Sequence, residues 1–257
     1  METIRNNLVS DVRQRVAEVV VGQDVVVERL LIALFTGGHL LLQGMPGLAK
    51  TLLVQTISKT IDLKFSRVQF TIDLLPSDIL GSEVLDQRTN EFTTHLGPIF
   101  TNLLLADEIN RAAPKVQSAL LEAMQERKVT IGNETHVLPA PFLVIATQNP
   151  IAQSGTFELP EAQLDRFMFF VEVQYPNRDE ELRIARETTG NAPQTIEPRV
   201  NGEQILKYQE LVERVPVPDH IYDLAVDIVR ATRPASDDAP DFCEKLVSWG
   251  AGPRAIQ

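Results

Sequence analysis

Cysteine is nearly missing from this 257-residue chain: Cys243 is the single one, which excludes an internal disulfide and any multi-cysteine zinc site. The four histidines, His39, His95, His136 and His220, are scattered without metal-ligand spacing and read as surface or internally satisfied side chains. Apolar runs are all interrupted by charge well short of a membrane span. The first residues, Met1-Glu2-Thr3-Ile4-Arg5-Asn6-Asn7, contain no apolar signal-peptide segment, so a cytoplasmic protein is expected. Basic residues are also few: 24 Lys and Arg stand against 35 Asp and Glu, a formal charge of −11. That balance argues against a domain that coats nucleic acid, although it leaves room for a local basic patch. Low-complexity tracts and internal repeats are absent.

The chain does have a core-forming composition, with 44% apolar and 23% charged residues. Its length suits one large domain, or a core with a smaller companion. Ile4, Leu8, Val12, Val16 and Val19 recur at helical spacing and predict an N-terminal amphipathic helix. After Gly22-Gln23, Asp24 is placed to cap a second helix carrying Leu30, Leu31 and Leu34, which Gly37-Gly38 ends. Short apolar strands are expected at 39–43, 67–70, 99–106, 141–146 and 167–173, the last after a helix starting at Pro160. Buried strands alternating with helices predict an α/β fold with a mostly parallel sheet.

Two segments do not fit a minimal alternation. Residues 81–98 and 129–138 both read as β-hairpins, the second turning near Gly132-Asn133. Beyond Tyr175-Pro176 the strand signal fades into a helix at 179–188, a Pro-bearing loop at 190–202 and further helical stretches. The domain expectation is therefore an α/β core over 1–175 and a small helical domain over 176–257.

Chemistry concentrates in two places. Gly44-Met45-Pro46-Gly47-Leu48-Ala49-Lys50-Thr51, continuing into Leu52, lies between a buried strand and a helix, as a phosphate-binding loop requires. Backbone N–H groups and the helix N-terminus favour phosphate there. Lys50 would bridge the outer phosphates of a nucleotide, and the Thr51 hydroxyl would ligate Mg²⁺. The pattern G-x-x-x-x-G-K-[ST] has glycine where this chain has Ala49, which a Cβ tolerates if the backbone keeps a negative φ. The competing reading of the loop is a Gly/Pro turn before an amphipathic helix. Some 60 residues on, the apolar run Leu103-Leu104-Leu105-Ala106 ends in Asp107-Glu108. At the carboxyl end of a parallel strand Asp107 can reach a metal ion, and Glu108 can polarise an attacking water. The plainer alternative is that the two acids cap the next helix.

These motifs, with Ala106-Asp107-Glu108-Ile109-Asn110-Arg111, Ala146-Thr147-Gln148-Asn149-Pro150 and Leu159-Pro160-Glu161-Ala162-Gln163-Leu164-Asp165-Arg166-Phe167, resemble the MoxR family of AAA+ ATPases over nearly the whole chain. Members commonly carry alanine at the position of Ala49. The resemblance implies a P-loop core followed by a helical lid, ATP and Mg²⁺ as cofactors, and ATP hydrolysis. It implies Asn149 as sensor 1, Arg166 as an arginine finger acting on a neighbouring subunit's ATP, and Arg254, in Gly252-Pro253-Arg254, as sensor 2. Val21-Gly22-Gln23 matches the segment packing around adenine, although the same residues would serve as a helix linker. The two hairpins correspond to the helix-2 insertion and the hairpin before sensor 1. A hexameric ring is implied, together with remodelling of client or adaptor proteins, often with von Willebrand factor A domains. Because members continue beyond the position of Gln257, the chain reads as a fragment with an incomplete lid. Two other functions stay open at this point: a nucleotide-gated binding module with little turnover, and a DNA-directed motor. A magnesium-chelatase-like subunit would use the same ATP site.

Overall fold

The computed structural model describes residues 8–45, 47–150, 156–188, 197–198, 200–234, 236 and 238–256. Ile4, Pro46 and most of the Pro-bearing loop at 190–202 lie outside the described residues. By packing, the chain divides into two compact units, Met1–Val212 and Glu213–Gln257.

The first unit is built on five parallel strands: β1 (Leu40–Gln43), β2 (Phe65–Gln69), β5 (Leu103–Asp107), β8 (Leu143–Gln148) and β9 (Phe169–Glu172). Their spatial order is β2-β5-β8-β1-β9. The period-2 alternation of a strand divides their apolar residues between two layers. Leu40, Leu42, Leu103, Leu105, Leu143, Ile145 and Val171 pack on one face with helices α1 (Leu8–Ala17), α2 (Asp24–Thr36) and α3 (Lys50–Thr60). Leu41, Leu104, Ala106, Val144 and Ala146 pack on the other with α4 (Pro76–Leu80) and α5 (Pro114–Glu126). Burial on both faces explains why these strands read as continuous apolar runs. The fold is a parallel α/β sandwich, as the alternation predicts.

Both expected hairpins form. β3 (Gly81–Asp86) pairs with β4 (Glu91–Leu96), and β6 (Lys128–Ile131) pairs with β7 (Glu134–Val137). In the second, Ile131 faces Glu134 across the two-residue turn Gly132-Asn133, where Gly132 takes φ 58°. The left-handed value is what a tight hairpin turn demands and glycine accepts. Helices α7 (Arg178–Thr188) and α8 (Gly202–Glu213) belong largely to this unit. Ile205 is fully buried in the α1–α3 layer, and Tyr208 packs edge-on against Phe35 at 5.6 Å.

Three local expectations change. Asp24 is the first residue of α2 and Gln23 is its N-cap, with no side-chain cap bond, so Asp24 acts on the helix dipole instead of capping. Pro160 is likewise the N-cap of α6 (Glu161–Leu164), which is a single turn. Residues Pro253–Ile256 form a short 3-10 turn where the start of a helix is expected.

In the second unit, α9 (Asp219–Ala231) and α10 (Asp241–Leu246) are pinned by Cys243, whose thiol donates to the Ala231 carbonyl at 3.3 Å. The Ala251 N–H donates to Thr232 Oγ1 at 2.8 Å, and Arg233 Nε donates to the Ala251 carbonyl at 3.1 Å. Those bonds fix the loop that leads to Pro253. Among the described residues no helix is long and apolar enough to cross a membrane.

Candidate functional site

The carboxyl ends of β1, β5 and β8 open onto a cleft of about 450 Å³. In an open parallel sheet that edge is where ligands bind. β1 ends at Gln43, and the chain turns through Gly44 to Ala49 into α3. Two glycines make the turn possible. A Cβ on Gly44 would lie 2.9 Å from Val173 Cβ and 3.1 Å from its carbonyl oxygen, while Gly47 takes φ 88°. Leu53 N–H makes the first intrahelical bond, to the Ala49 carbonyl, so the preceding N–H groups are left for a ligand at the positive end of α3.

Ala49 departs from the sequence expectation of a negative φ: it sits in the left-handed region at φ 52°, ψ 21°. The Cβ is accommodated there at a cost of about 1–2 kcal/mol. Lys50 Nζ donates to the Gly44 carbonyl at 2.8 Å, across the mouth of the loop. Burial holds the Lys50 pKa below its ordinary value, against the opposing pull of the Asp107 and Glu108 charges.

The two acids approach from β5. Asp107 continues the side of the strand that carries Leu103 and Leu105, which is the α3 side. Its side chain is 14% exposed. One carboxylate oxygen accepts from the Thr147 hydroxyl at 2.6 Å, and the other accepts from Arg67 Nη2 at 2.6 Å and Nε at 3.2 Å. Glu108 ends the strand in a left-handed conformation, φ 57°, ψ 49°. Its N–H donates to Thr147 Oγ1 at 2.8 Å. Its carboxylate accepts from Gln69 Nε2 at 3.0 Å and Arg111 Nη1 at 2.8 Å.

β8 supplies the remaining wall. Gln148 Nε2 donates to Gln43 Oε1 at 2.6 Å, tying β8 to β1 beneath the loop. Asn149 lines the cleft, and its carbonyl accepts from Asn110 Nδ2 at 3.4 Å. The Asn110 carbonyl in turn accepts from Phe157 N–H at 2.7 Å, joining this wall to the segment that leads to α6.

The cleft thus brings together Gly44, Gly47, Leu48, Ala49, Lys50, Thr51, Leu52, Asp107, Glu108 and Asn149. Met45 lies beside it, packed against the α1–α3 core layer. Val21, Gly22 and Gln23 form the α1–α2 junction: Gly22 takes φ 76° against the Glu180 carboxylate, and Gln23 is buried. Arg166 follows α6, its N–H donating to the Gln163 carbonyl, and is not part of the cleft wall. Arg254 lies in the second unit, on the turn Pro253–Ile256. Sequence reasoning passed over Arg67, Gln69, Thr147 and Gln148, which also line the cleft. Their signal is modest: Arg67 and Gln69 alternate with buried Val68 and Phe70, which places both polar side chains on one side of β2.

The model of the ATPase family associated with various cellular activities (AAA) matches residues 39–169, which contain strands β1, β2, β5 and β8, the first residue of β9 and the whole cleft wall. Chaperone MoxR1 from Mycobacterium tuberculosis is 48% identical over 240 residues, covering 93% of this chain and 63% of that protein. The uncharacterized protein YeaC of Bacillus subtilis is 44% identical over 221 residues, covering 86% of this chain and 69% of YeaC. The chain belongs to the MoxR family of AAA+ ATPases. As a MoxR-family member it also resembles the crystal structure of a candidate ATPase from Cytophaga hutchinsonii. That match has a TM-score of 0.89 at 44% identity and covers 97% of this chain and 76% of the other. A more distant relative, protein MoxR of Methylorubrum extorquens, is 33% identical over 175 residues. The chain spans 63% of the length of MoxR1 and 50% of that second MoxR protein.

Proposed function

We propose that this chain binds Mg·ATP in the cleft and hydrolyses it, as one copy in a cytoplasmic ring that remodels partner proteins. The observation that carries the proposal is the meeting of the loop at 44–51 with Asp107 and Glu108 in one cleft. A phosphate chain laid along the loop receives the N–H groups and positive end of α3, and Lys50 is released from the Gly44 carbonyl to reach it. Thr51 and Asp107 are the residues that would hold Mg²⁺. Among the described residues no three His, Cys, Asp or Glu side chains converge on a metal site, so the donor set fits an ion that keeps water and substrate phosphate as ligands. Bound there, Mg²⁺ would neutralise charge on the phosphates. Glu108 orients and polarises the attacking water, and Asn149 steadies that water from β8.

Arg166 is proposed to act in trans, supplying positive charge to ATP held by the next subunit. Arg254 and the helices after residue 176 are proposed as a lid, and Val21–Gln23 as the seat of the adenine. The relative named as a chaperone supports remodelling of other proteins as the output. The hexameric ring, and clients or adaptors with von Willebrand factor A domains, belong to the same proposal. A nucleotide-gated binding module with slow turnover is the second reading. It is favoured by the Glu108 carboxylate being engaged by both Gln69 and Arg111.

Steady-state ATP hydrolysis against protein concentration, for wild type beside Glu108→Gln and Arg166→Ala, separates the two. The motor requires specific activity that rises with concentration. Both variants should lose at least about 100-fold, since a positioned general base is worth roughly 10²–10⁴ and a fixed transition-state cation roughly 10³–10⁵ in rate. Wild type that binds ATP yet does not turn it over at any concentration sinks the motor and leaves the gated module.

A further inference from the structure

Arg67 is held to Asp107 although nothing in the fold needs it there. β2 is an edge strand whose register against β5 is fixed by backbone pairing from Phe65 to Gln69. The Arg67 side chain is 45% exposed, and an ion pair that open adds little to stability. Its geometry is nonetheless specific. Nη2 and Nε converge on one oxygen of Asp107, Nη2 also donates to Gln69 Oε1 at 3.0 Å, and Thr147 occupies the other Asp107 oxygen.

Asp107 is mostly removed from water, and it lines a cleft built for polyphosphate. The titratable charges along that cleft are Lys50 and Arg67 against Asp107 and Glu108, which cancel. Without Arg67 the wall would carry a net negative charge facing the phosphates, and the least solvated acid would keep only the neutral Thr147 hydroxyl as a hydrogen-bond partner.

Resting on the reading of the cleft as a Mg·ATP site, we propose that Arg67 is the resident counter-cation of Asp107 and sets the metal dependence of nucleotide binding. Arg67 and a divalent ion held by Asp107 would compete for its carboxylate. With no metal, the guanidinium cancels Asp107 and permits the nucleotide alone to bind. With a metal bound, the Arg67–Asp107 contact would be loosened, which would weaken the apparent affinity for the ion. Both effects narrow the gap between metal-free and metal-loaded nucleotide affinity. Removing the cation widens it.

The test is titration of a fluorescent ATP analogue into the full chain, in excess EDTA and in Mg²⁺, for wild type, Arg67→Met, Arg67→Lys, Asp107→Asn and the double variant Arg67→Met/Asp107→Asn, the last read against Asp107→Asn. Thermal melts confirm that each is folded. For Arg67→Met the ratio of EDTA to Mg²⁺ dissociation constants should rise roughly three- to tenfold, the range of one charge-assisted contact at a half-open site. The Mg²⁺ concentration for half-maximal binding should fall. Arg67→Lys should stay within about twofold of wild type, because a cation remains, and the effect of Arg67→Met should vanish in the double variant. A ratio for Arg67→Met equal to that of wild type overturns the proposal, as does Arg67→Lys behaving like Arg67→Met. Wild type that binds no nucleotide with or without metal overturns the Mg·ATP reading itself, which is a separate outcome from nucleotide binding with an unchanged ratio.

Discussion

Thr147 is the residue on which the two acids depend together, and Thr147→Val isolates that dependence. The hydroxyl donates to Asp107 and accepts from the Glu108 N–H, in a side chain only 1% exposed. Valine keeps the shape, so no cavity forms and the effect belongs to the two hydrogen bonds. A hydrogen bond to a carboxylate contributes about 1.5–3 kcal/mol, and an orphaned buried N–H costs about 1–3 kcal/mol. Asp107 retains Arg67 and the two losses share one atom, so they do not add fully; about 2–3 kcal/mol is expected. At roughly 2–4 °C per kcal/mol for a chain of this size, the midpoint of a far-UV circular dichroism melt should drop by about 5–10 °C. Thr147→Ser keeps the hydroxyl and should recover most of that loss. ATP turnover of the valine variant should fall further than its stability alone explains, because Glu108 loses the bond that fixes its backbone. A melt within about 1 °C of wild type would refute the reasoning, since it would mean that water replaces the hydroxyl at no cost.

Ala49→Gly relieves a left-handed Cβ and should raise stability by about 1 kcal/mol without loss of nucleotide affinity, read by urea unfolding and ATP-analogue titration. His39 is buried, its Nδ1 accepting from Val144 N–H at 3.0 Å, and burial followed by the Arg127 charge holds its pKa down to about 4 against an ordinary 6.5. The unfolded chain therefore takes up the proton first. Stability is full above about pH 6.5 and declines by about 3 kcal/mol as pH falls to about 4, and His39→Gln should flatten that slope in a pH series of unfolding curves.

The parallel sheet was legible because burial on both faces leaves uninterrupted apolar runs such as Leu40 to Leu42 and Leu103 to Ala106. Both hairpins were legible from turn residues between alternating segments. The phosphate loop and the acid pair could be read because each is contiguous in sequence and borders a strand. The partners of the acids could not. Arg67 meets Asp107 only because β2 pairs with β5 in the register Gln69 to Asp107, a contact across some forty residues that no local pattern encodes. Thr147 was visible only as a member of the Ala146–Pro150 motif, beyond the expected end of the strand; its role follows from β8 lying beside β5. Asp24 misled because a helix-starting acid serves as well in the first turn as at the cap.

The two left-handed non-glycine residues at the cleft make a last comparison. Ala49 and Glu108 stand where the chain leaves the loop or the strand for a helical turn, at φ 52° and φ 57°. Each stores about 1–2 kcal/mol of backbone strain. At Ala49 the side chain contributes a methyl group and no hydrogen bond, so glycine would serve as well or better. At Glu108 the side chain is the proposed catalytic group, and the strain is held by two backbone bonds: its N–H to Thr147, and Arg111 N–H to its carbonyl at 2.9 Å. Glu108→Gly leaves both in place, removes the strained Cβ and loses only two half-exposed side-chain contacts, worth little in solvent. The variant should therefore unfold at a urea concentration no lower than wild type while losing ATP turnover. Glu108→Gln, which keeps the Cβ, should lose turnover without gaining stability. If glycine instead destabilises by about 1 kcal/mol, the cost it carries at an ordinary ordered position, the left-handed backbone at 108 is not strained and no stability is given up there for catalysis.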